Sequence, residues 1–148
     1  VPVAVLVFGA YWYTPVPDRF EGVVEAVKDC DTIVIQSITV RLAKIDCPEK
    51  KQEYGLEAKE YVSRKTLGKQ VVVQKESRDR YGRVIGKVSL RNTDFNAHLV
   101  REGYAWVYRD YCKKCDDLLK LEQAAREGKK GLWAYPNPEP PWIWRKNH

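Results

Sequence analysis

The sequence predicts one α+β domain, a small five-stranded β-barrel with helices between and after its strands. Its 148 residues are the length of one ordinary domain. Five short segments are rich in β-branched residues and partly alternate between apolar and polar positions, which is typical of strands. Three other segments place apolar residues at the spacing of an amphipathic helix.

The predicted strands come in two groups, separated by the first helix, and span 20–28, 32–38, 39–45, 70–76 and 83–90. Each predicted helix has an end signal. The helix over 54–67 is followed by Gly68, Asp94 caps the helix over 94–101, and two aspartates open the helix over 116–127. This order, β-β-β-α-β-β-α-α, is compatible with an OB-type barrel.

The proline-rich segment 136–141 comes after the last predicted helix. Proline disfavours a helix interior and a central strand, so we expect an extended segment that Trp142 and Trp144 dock onto the domain. We place the domain at 20–144 and interpret 145–148 as a basic C-terminal tail.

The amino end is apolar, and residues 1–17 carry no charge. The stretch is shorter than the roughly 20 residues that span a bilayer. We interpret 1–19 as the remnant of a signal sequence or membrane anchor, which predicts an exported protein that is periplasmic, extracellular or tethered to a membrane. An ordinary strand or a tail packed on the domain is the alternative.

The formal net charge of +6 favours a polyanionic partner such as nucleic acid, although a basic protein without such a partner has the same composition. Only two histidines are present, His98 and His148, which argues against a hydrolase built on paired histidines and against a His-rich zinc site. Nothing in the sequence indicates an obligate protein partner.

The four cysteines are an even number, which suits an oxidising compartment. Cys112 and Cys115 form one CxxC pair without a second pair or a nearby histidine. A local disulfide before the last helix is therefore favoured over a zinc knuckle or a thioredoxin-type site.

Acidic residues gather where the first strands end. Asp31, Asp46 and Glu49 lie at strand junctions, and Pro48 favours an extended Cys47 whose carbonyl is free of a β-ladder. Carboxylate and carbonyl oxygens suit Ca²⁺ or Mg²⁺ rather than zinc or copper. The alternative is a set of solvated carboxylates.

Two arginines, Arg41 on the third predicted strand and Arg83 in the turn between the later strands, could converge on a phosphate group, each offering a bidentate fork. The alternative is that each is a surface arginine paired with an aspartate or glutamate.

Taken together, these motifs resemble the staphylococcal nuclease (thermonuclease) family. The resemblance covers residues 20–144 in order, and its motifs are Asp29 to Thr32, Arg41 to Glu49, Tyr81-Gly82-Arg83, Tyr54-Gly55, Leu99 to Ala105 and Gly131-Leu132-Trp133. It implies an OB-fold barrel with three helices, and a Ca²⁺-dependent phosphodiesterase that cuts DNA and RNA and leaves 3′-phosphate ends.

The resemblance also implies residue roles. Asp31 and Asp46 would ligate calcium together with the backbone carbonyl of Cys47. Glu49 would deprotonate the attacking water, while Arg41 and Arg83 would stabilise charge on the phosphate.

Four further positions are matched to substrate binding. Arg80 and Tyr81 match positions that contact the neighbouring nucleotide. Tyr108 and Tyr111 lie in the stretch that supplies base-facing aromatic rings, and either is equally consistent with a core tyrosine.

This chain departs from the family pattern in its cysteines and in one loop. Cys30 and Cys47 stand where glycine and threonine are common, each beside a proposed calcium ligand, and we hypothesise that they form a disulfide with Cα atoms about 4.4–6.8 Å apart. Two free, partly buried thiols are the alternative. Only four residues separate Glu49 from Tyr54, where the best-known member has a longer loop.

Two classes of function remain after this comparison. One is the exported nuclease, and the other is a catalytically silent module of the same fold that binds nucleic acid or protein. Inactive copies typically lose the acidic ligands or the arginines, whereas this chain keeps both sets, which favours the enzyme.

Overall fold

The computed structural model describes residues 15–148 and contains a closed five-stranded β-barrel. The strands of the described chain are β1 (Arg19–Asp29), β2 (Thr32–Ile35), β3 (Ile38–Leu42), β4 (Ile45–Asp46), β5 (Gln70–Arg78), β6 (Val84–Leu90), β7 (Thr93–Asp94) and β8 (Trp106–Val107). The barrel consists of β1, β2, β3, β5 and β6. The main sheet has the order β3-β2-β1-β5-β6-β7, and a parallel pairing of β3 with β6 closes the barrel. The predicted OB-fold barrel is confirmed.

Alternation along the strands separates the core from the outer surface. Val40 and Leu42 on β3, and Val71 and Val73 on β5, occupy alternate positions and are buried in the core. Because successive side chains of a strand point to opposite faces, Arg41 is directed away from this core. The barrel wall thus places an arginine on its outer surface.

Two strand boundaries differ from the prediction. The chain turns between β2 and β3 at Gln36 and Ser37, whose φ values of 50° and 62° are those of a tight left-handed hairpin turn. The segment predicted as one strand over 39–45 is broken near Lys44, which has a φ of 71°. This break lets β4 leave the barrel and pair with β8.

The helices are α1 (Gly55–Thr66), α2 (Phe95–Arg101), α3 (Asp116–Glu127) and α4 (Pro141–Asn147). The first three match the predicted helices to within one residue at each end. Asp94 caps α2 as predicted, accepting a hydrogen bond from the backbone N–H of Ala97 at 3.0 Å.

The fourth helix corrects the prediction of three helices, whereas residues 136–140 lie outside helix and strand as predicted. Pro141 is the first residue of α4, a position where the missing N–H costs nothing because that donor has no partner within the helix. Trp142 does dock on the domain, as expected, but it does so from a helix. The helix also includes Arg145, which the sequence analysis assigned to a basic tail.

The predicted apolar tail over 1–19 falls mostly outside the described residues. Its described part includes Val16, which is buried against the core cluster, and β1 begins at Arg19. Within residues 15–148, no helix has both the length and the apolar character needed to cross a membrane.

Candidate active site

The turn between β1 and β2 holds Asp31 in a fixed orientation. One carboxylate oxygen accepts a hydrogen bond from the backbone N–H of Cys47 at 3.0 Å, and the other accepts one from the Thr32 hydroxyl at 3.1 Å. Asp31 is therefore bonded to the segment that follows β4.

Arg41 brings the two aspartates of the site together. Its Nη2 atom lies 3.6 Å from Asp31 Oδ2 and 3.5 Å from Asp46 Oδ1. The two carboxylates therefore face the same guanidinium, although Asp31 lies between β1 and β2 and Asp46 ends β4.

A disulfide links the two segments that contain these aspartates. Cys30 and Cys47 are bonded, with Cα atoms 5.8 Å apart, which is within the ordinary range for a disulfide. Cys30 precedes Asp31 and Cys47 follows Asp46, so the bond joins the backbone on both sides of the aspartate pair. The structure contains the disulfide that the sequence analysis hypothesised.

The second cysteine pair, Cys112 and Cys115, is also joined, with a Cα separation of 5.6 Å. It closes a short loop directly before α3, as the sequence analysis favoured. It takes no part in the aspartate pair.

Glu49 lies on a short, internally bonded loop between β4 and α1. Its backbone N–H donates to Gln52 Oε1 at 3.0 Å, and the Gln52 N–H donates to the Glu49 carbonyl at 2.9 Å. A Cβ atom on Gly55 would lie only 1.8 Å from that carbonyl oxygen. Glycine at position 55 therefore allows the start of α1 to pack directly on Glu49.

Arg145 is the member of the site that sequence reasoning missed. Its Nη1 donates to Glu49 Oε1 at 2.7 Å and to Asp46 Oδ1 at 3.2 Å, while its Nη2 donates to Asp46 Oδ2 at 2.7 Å. The only signal in the sequence was that Arg145 is a basic residue that follows two tryptophans. Its contact with Asp46 and Glu49, nearly one hundred positions earlier, depends on how α4 packs.

Negative charge is concentrated at this site. Asp46 is 2% exposed, and its burial raises the pKa of its carboxyl group. The hydrogen bond from Arg145 only partly offsets this increase, and the charge of Asp31 raises the pKa further. Burial, with Asp31 again contributing, also raises the pKa of Asp29. The hydrogen bonds to Asp46 and Glu49 raise the pKa of Arg145. The site is therefore one that attracts cations.

Arg83 directly precedes β6, the strand that pairs with the strand of Arg41. In the parallel ladder Arg41 is paired with Ile85, two residues after Arg83. Arg83 forms an ion pair with Asp79 at 2.6 Å within its own turn, so in this structure both arginines are paired with aspartates.

Burial by itself would raise the pKa of Asp79, but the hydrogen bonds from Arg83 and from the Tyr81 backbone outweigh it and lower that pKa. Tyr81 is 64% exposed, and Arg80 lies over its ring at 5.0 Å. Arg80 and Tyr81 are thus presented to solvent at the tip of the turn.

The two downstream tyrosines lie in different environments. Tyr108 is half-buried and stacks on Trp142 of α4, with ring centroids 5.3 Å apart. Tyr111 is 71% exposed and meets Tyr108 edge-on. Tyr108 thus takes part in docking α4, whereas Tyr111 is open to a ligand.

The carboxylates of Asp31 and Asp46, which face the same guanidinium, are of the type that a hard divalent cation binds. The guanidinium of Arg145 lies between Asp46 and Glu49 and acts there as a stand-in cation. Within residues 15–148, no three side chains of His, Cys, Asp or Glu form a group that could hold an ion by themselves. Backbone carbonyl, water or substrate oxygens would complete its coordination.

A closed OB-fold barrel with aspartates and an arginine meeting outside its wall defines the general class of this domain. Residues 39–135 match the family model described as staphylococcal nuclease homologue. The chain belongs to the staphylococcal nuclease family. The matched range includes Arg41, Asp46, Glu49 and Arg83; Asp31 precedes it and α4 follows it.

Relatives along most of the chain bear nuclease names. An uncharacterized endonuclease of Escherichia coli is 39% identical over 98% of this chain and 95% of its own length. A micrococcal nuclease of Shigella flexneri is 39% identical over 86% of this chain and 81% of its own. A staphylococcal-like nuclease of Arabidopsis thaliana is 38% identical over 79% of this chain, which is 36% of the plant protein.

Proposed function

We propose that this chain is a nuclease that hydrolyses phosphodiester bonds of DNA and RNA with the help of Ca²⁺ and leaves 3′-phosphate ends. The observation that carries the proposal is the meeting of Asp31 and Asp46 on Arg41, with Glu49 beside them. Family membership and the nuclease names of the relatives support the same activity.

Each side chain has a role that its chemistry suits. Glu49 accepts the proton of the attacking water as general base. Arg41 and Arg83 bind the phosphate oxygens through their planar forks and stabilise the charge that develops on them. Arg80, Tyr81 and the exposed ring of Tyr111 contact the neighbouring nucleotides.

Asp31 and Asp46 hold the cation, with the Cys47 carbonyl as a third oxygen. When bound, Ca²⁺ neutralises negative charge on the phosphate, which otherwise repels an attacking hydroxide. The Cys30–Cys47 disulfide keeps the two aspartates on one side of the phosphate.

A catalytically silent binding module is the second candidate. It would require a basic surface and exposed aromatic rings, both of which this chain has. It gives no reason for burying an aspartate at 2% exposure beside a second carboxylate, since acids in a phosphate channel weaken binding unless a cation is present.

We further propose that the protein acts outside the cytoplasm. Two disulfides, Cys30–Cys47 and Cys112–Cys115, support an oxidising compartment. Fractionation of cells that express the full-length protein, with a thiol-labelling assay on each fraction, tests this location. Recovery only in the cytoplasm, with all four thiols free, would contradict it.

The activity is tested with Glu49→Gln, which keeps the shape of the side chain but not its basicity. We expect wild-type protein to cut single-stranded DNA with millimolar Ca²⁺ and not with a chelator, and Glu49→Gln to be slower by about 10²–10⁴-fold. Glu53→Gln, an exposed glutamate in the same loop, is the matched control and should cut like wild type.

Two results would contradict the proposal. If wild type binds DNA but does not cut it with Ca²⁺, Mg²⁺ or Mn²⁺, the protein is a binding module. If cutting survives both chelation and the loss of Glu49, neither the cation nor the base assigned here is used.

A further inference from the structure

We propose that Arg145 is a positioning residue of the active site that competes with calcium for Asp46 and orients Glu49 beside it. It would thereby set the calcium concentration at which the site becomes active. The inference rests on the proposed calcium-dependent function. It assigns a role to α4, a helix that lies beyond the segment matched by the family model.

The contacts of Arg145 include both carboxylate oxygens of Asp46, a proposed calcium ligand. Its two terminal nitrogens engage both carboxylate oxygens of Asp46 and one of Glu49, at 2.7 to 3.2 Å. Calcium binds carboxylate oxygens at about 2.3–2.6 Å and carries two positive charges. The guanidinium and a calcium ion therefore compete for the oxygens of Asp46, and repulsion between two cations this close disfavours their binding together.

Because Asp46 is buried, its charge depends on a neighbouring cation. Asp46 is 2% exposed, so water contributes little to stabilising its charge, and Arg41 and Arg145 provide the compensation. Arg41 lies in a barrel strand, whereas Arg145 lies on a short helix outside the barrel that rests on few contacts. Arg145 is therefore the cation that is able to leave.

The docking of α4 rests on a few contacts. Trp142 stacks on Tyr108 and meets Trp106 edge-on at 5.7 Å, and the Gln52 side chain donates to the Glu139 carbonyl at 2.6 Å just before the helix. The residues after Trp144 are exposed. Arg145 can thus be displaced by a local movement at the end of α4 while Trp142 stays in place.

Arg145 would hold Asp46 and Glu49 in position at low calcium, and calcium would replace it when the site is filled. One arginine would then preserve the geometry of the ligands and also set a threshold for loading.

The test measures calcium binding directly by isothermal titration calorimetry, without substrate. The variants are Arg145→Gln and the control Lys146→Gln, which removes the same charge from the next, exposed residue. Losing a charged hydrogen-bonded competitor should tighten calcium binding by about tenfold in Arg145→Gln. Lys146→Gln should stay within about twofold of wild type, since exposed charges interact weakly.

A second readout follows Arg145 itself. The side-chain N–H signals of Arg145, assigned by their absence from Arg145→Gln, should shift in NMR spectra when calcium is added to wild type. Unchanged signals in calcium-loaded protein would overturn the inference, because they would show that Arg145 does not move. Weaker calcium binding by Arg145→Gln would also overturn it, because Arg145 would then support the ligands rather than compete with calcium.

These outcomes separate the inference from the proposed function. If Arg145→Gln and wild type bind calcium equally and both cut DNA, only the role of Arg145 is wrong. If wild type neither binds calcium nor cuts DNA with it, the calcium-dependent function fails and the competition fails with it.

Discussion

Buried carboxylates in this domain are paired with arginines at two places. Glu122 and Asp46 are each 2% exposed, and each lies beside two guanidinium groups. The partners of Glu122 are Arg109 and Arg126, and its second oxygen accepts the backbone N–H of Val107 at 2.7 Å. Glu122 thus joins α3 to β8, a structural role outside the proposed chemistry.

We predict that Glu122→Ala lowers the free energy of unfolding by about 2–3 kcal/mol. The change leaves a buried backbone N–H without its partner and two arginines without their carboxylate. Urea denaturation measures the effect, and Glu127→Ala, an exposed glutamate of the same helix, should change stability by less than about 0.5 kcal/mol. Equal effects in the two variants would contradict the structural role of Glu122.

Elements, rather than single residues, bring the halves of the site together. Asp31 follows β1, whereas Asp46 ends β4, a two-residue strand outside the barrel. The Cys30–Cys47 disulfide and the hydrogen bond between Asp31 and the Cys47 N–H connect these elements. The barrel supplies a stable wall, and these two links set the separation of the aspartates.

We predict that the double variant Cys30→Ala/Cys47→Ala loses about 3 kcal/mol of stability. The reason is that the disulfide, with a sequence separation of 17, closes a sizeable loop in the unfolded chain of the wild type. The double variant should also bind calcium more weakly, since the two ligand segments are no longer tied. Denaturation and calorimetry measure the two effects.

The matched control is Cys112→Ala/Cys115→Ala, whose separation of 3 closes a much smaller loop. The stability loss should be about half as large, and calcium binding should not change. Equal calcium affinity in both double variants and in wild type would show that the disulfide does not organise the site.

At the scale of the whole molecule, the chain is basic although its candidate site is acidic. The net charge is +6, although the site itself contains Asp31, Asp46 and Glu49. Arg80 lies in the turn that precedes β6, whereas Arg91 follows the other end of β6. The strand separates these two cations by about 20 Å, at a rise of roughly 3.3 Å per residue.

We predict that the affinity for single-stranded DNA falls with salt, with a log–log slope of about −2 if three phosphates are contacted. The measurement uses Glu49→Gln in chelator, so that no substrate is cut. Adding Arg80→Gln should make the slope shallower by roughly one phosphate contact, whereas adding Arg91→Gln should leave it unchanged. An equal decrease in the salt slope in both variants would mean that overall charge, and not the position of the arginine, guides DNA binding.

The main elements of the fold were predictable because they depend on local patterns. β-Branched segments became barrel strands, Asp94 capped α2, and three helices lie within one residue of their predicted ends. The turn at Gln36 and Ser37 was missed because neither residue is typical of a left-handed turn. The strand over 39–45 was overextended because a pattern of side chains does not show where strand pairing changes.

The sequence by itself determined the types of residue at the site and the family to which they point: carboxylates, arginines and two cysteines beside the acids. Only the tertiary structure decided which of them meet. It places Asp31 and Asp46 on one guanidinium and brings Arg145 to Asp46 and Glu49 from the far end of the chain. Motif spacing describes neighbours along the chain, whereas a contact across almost one hundred residues depends on how α4 docks on the barrel.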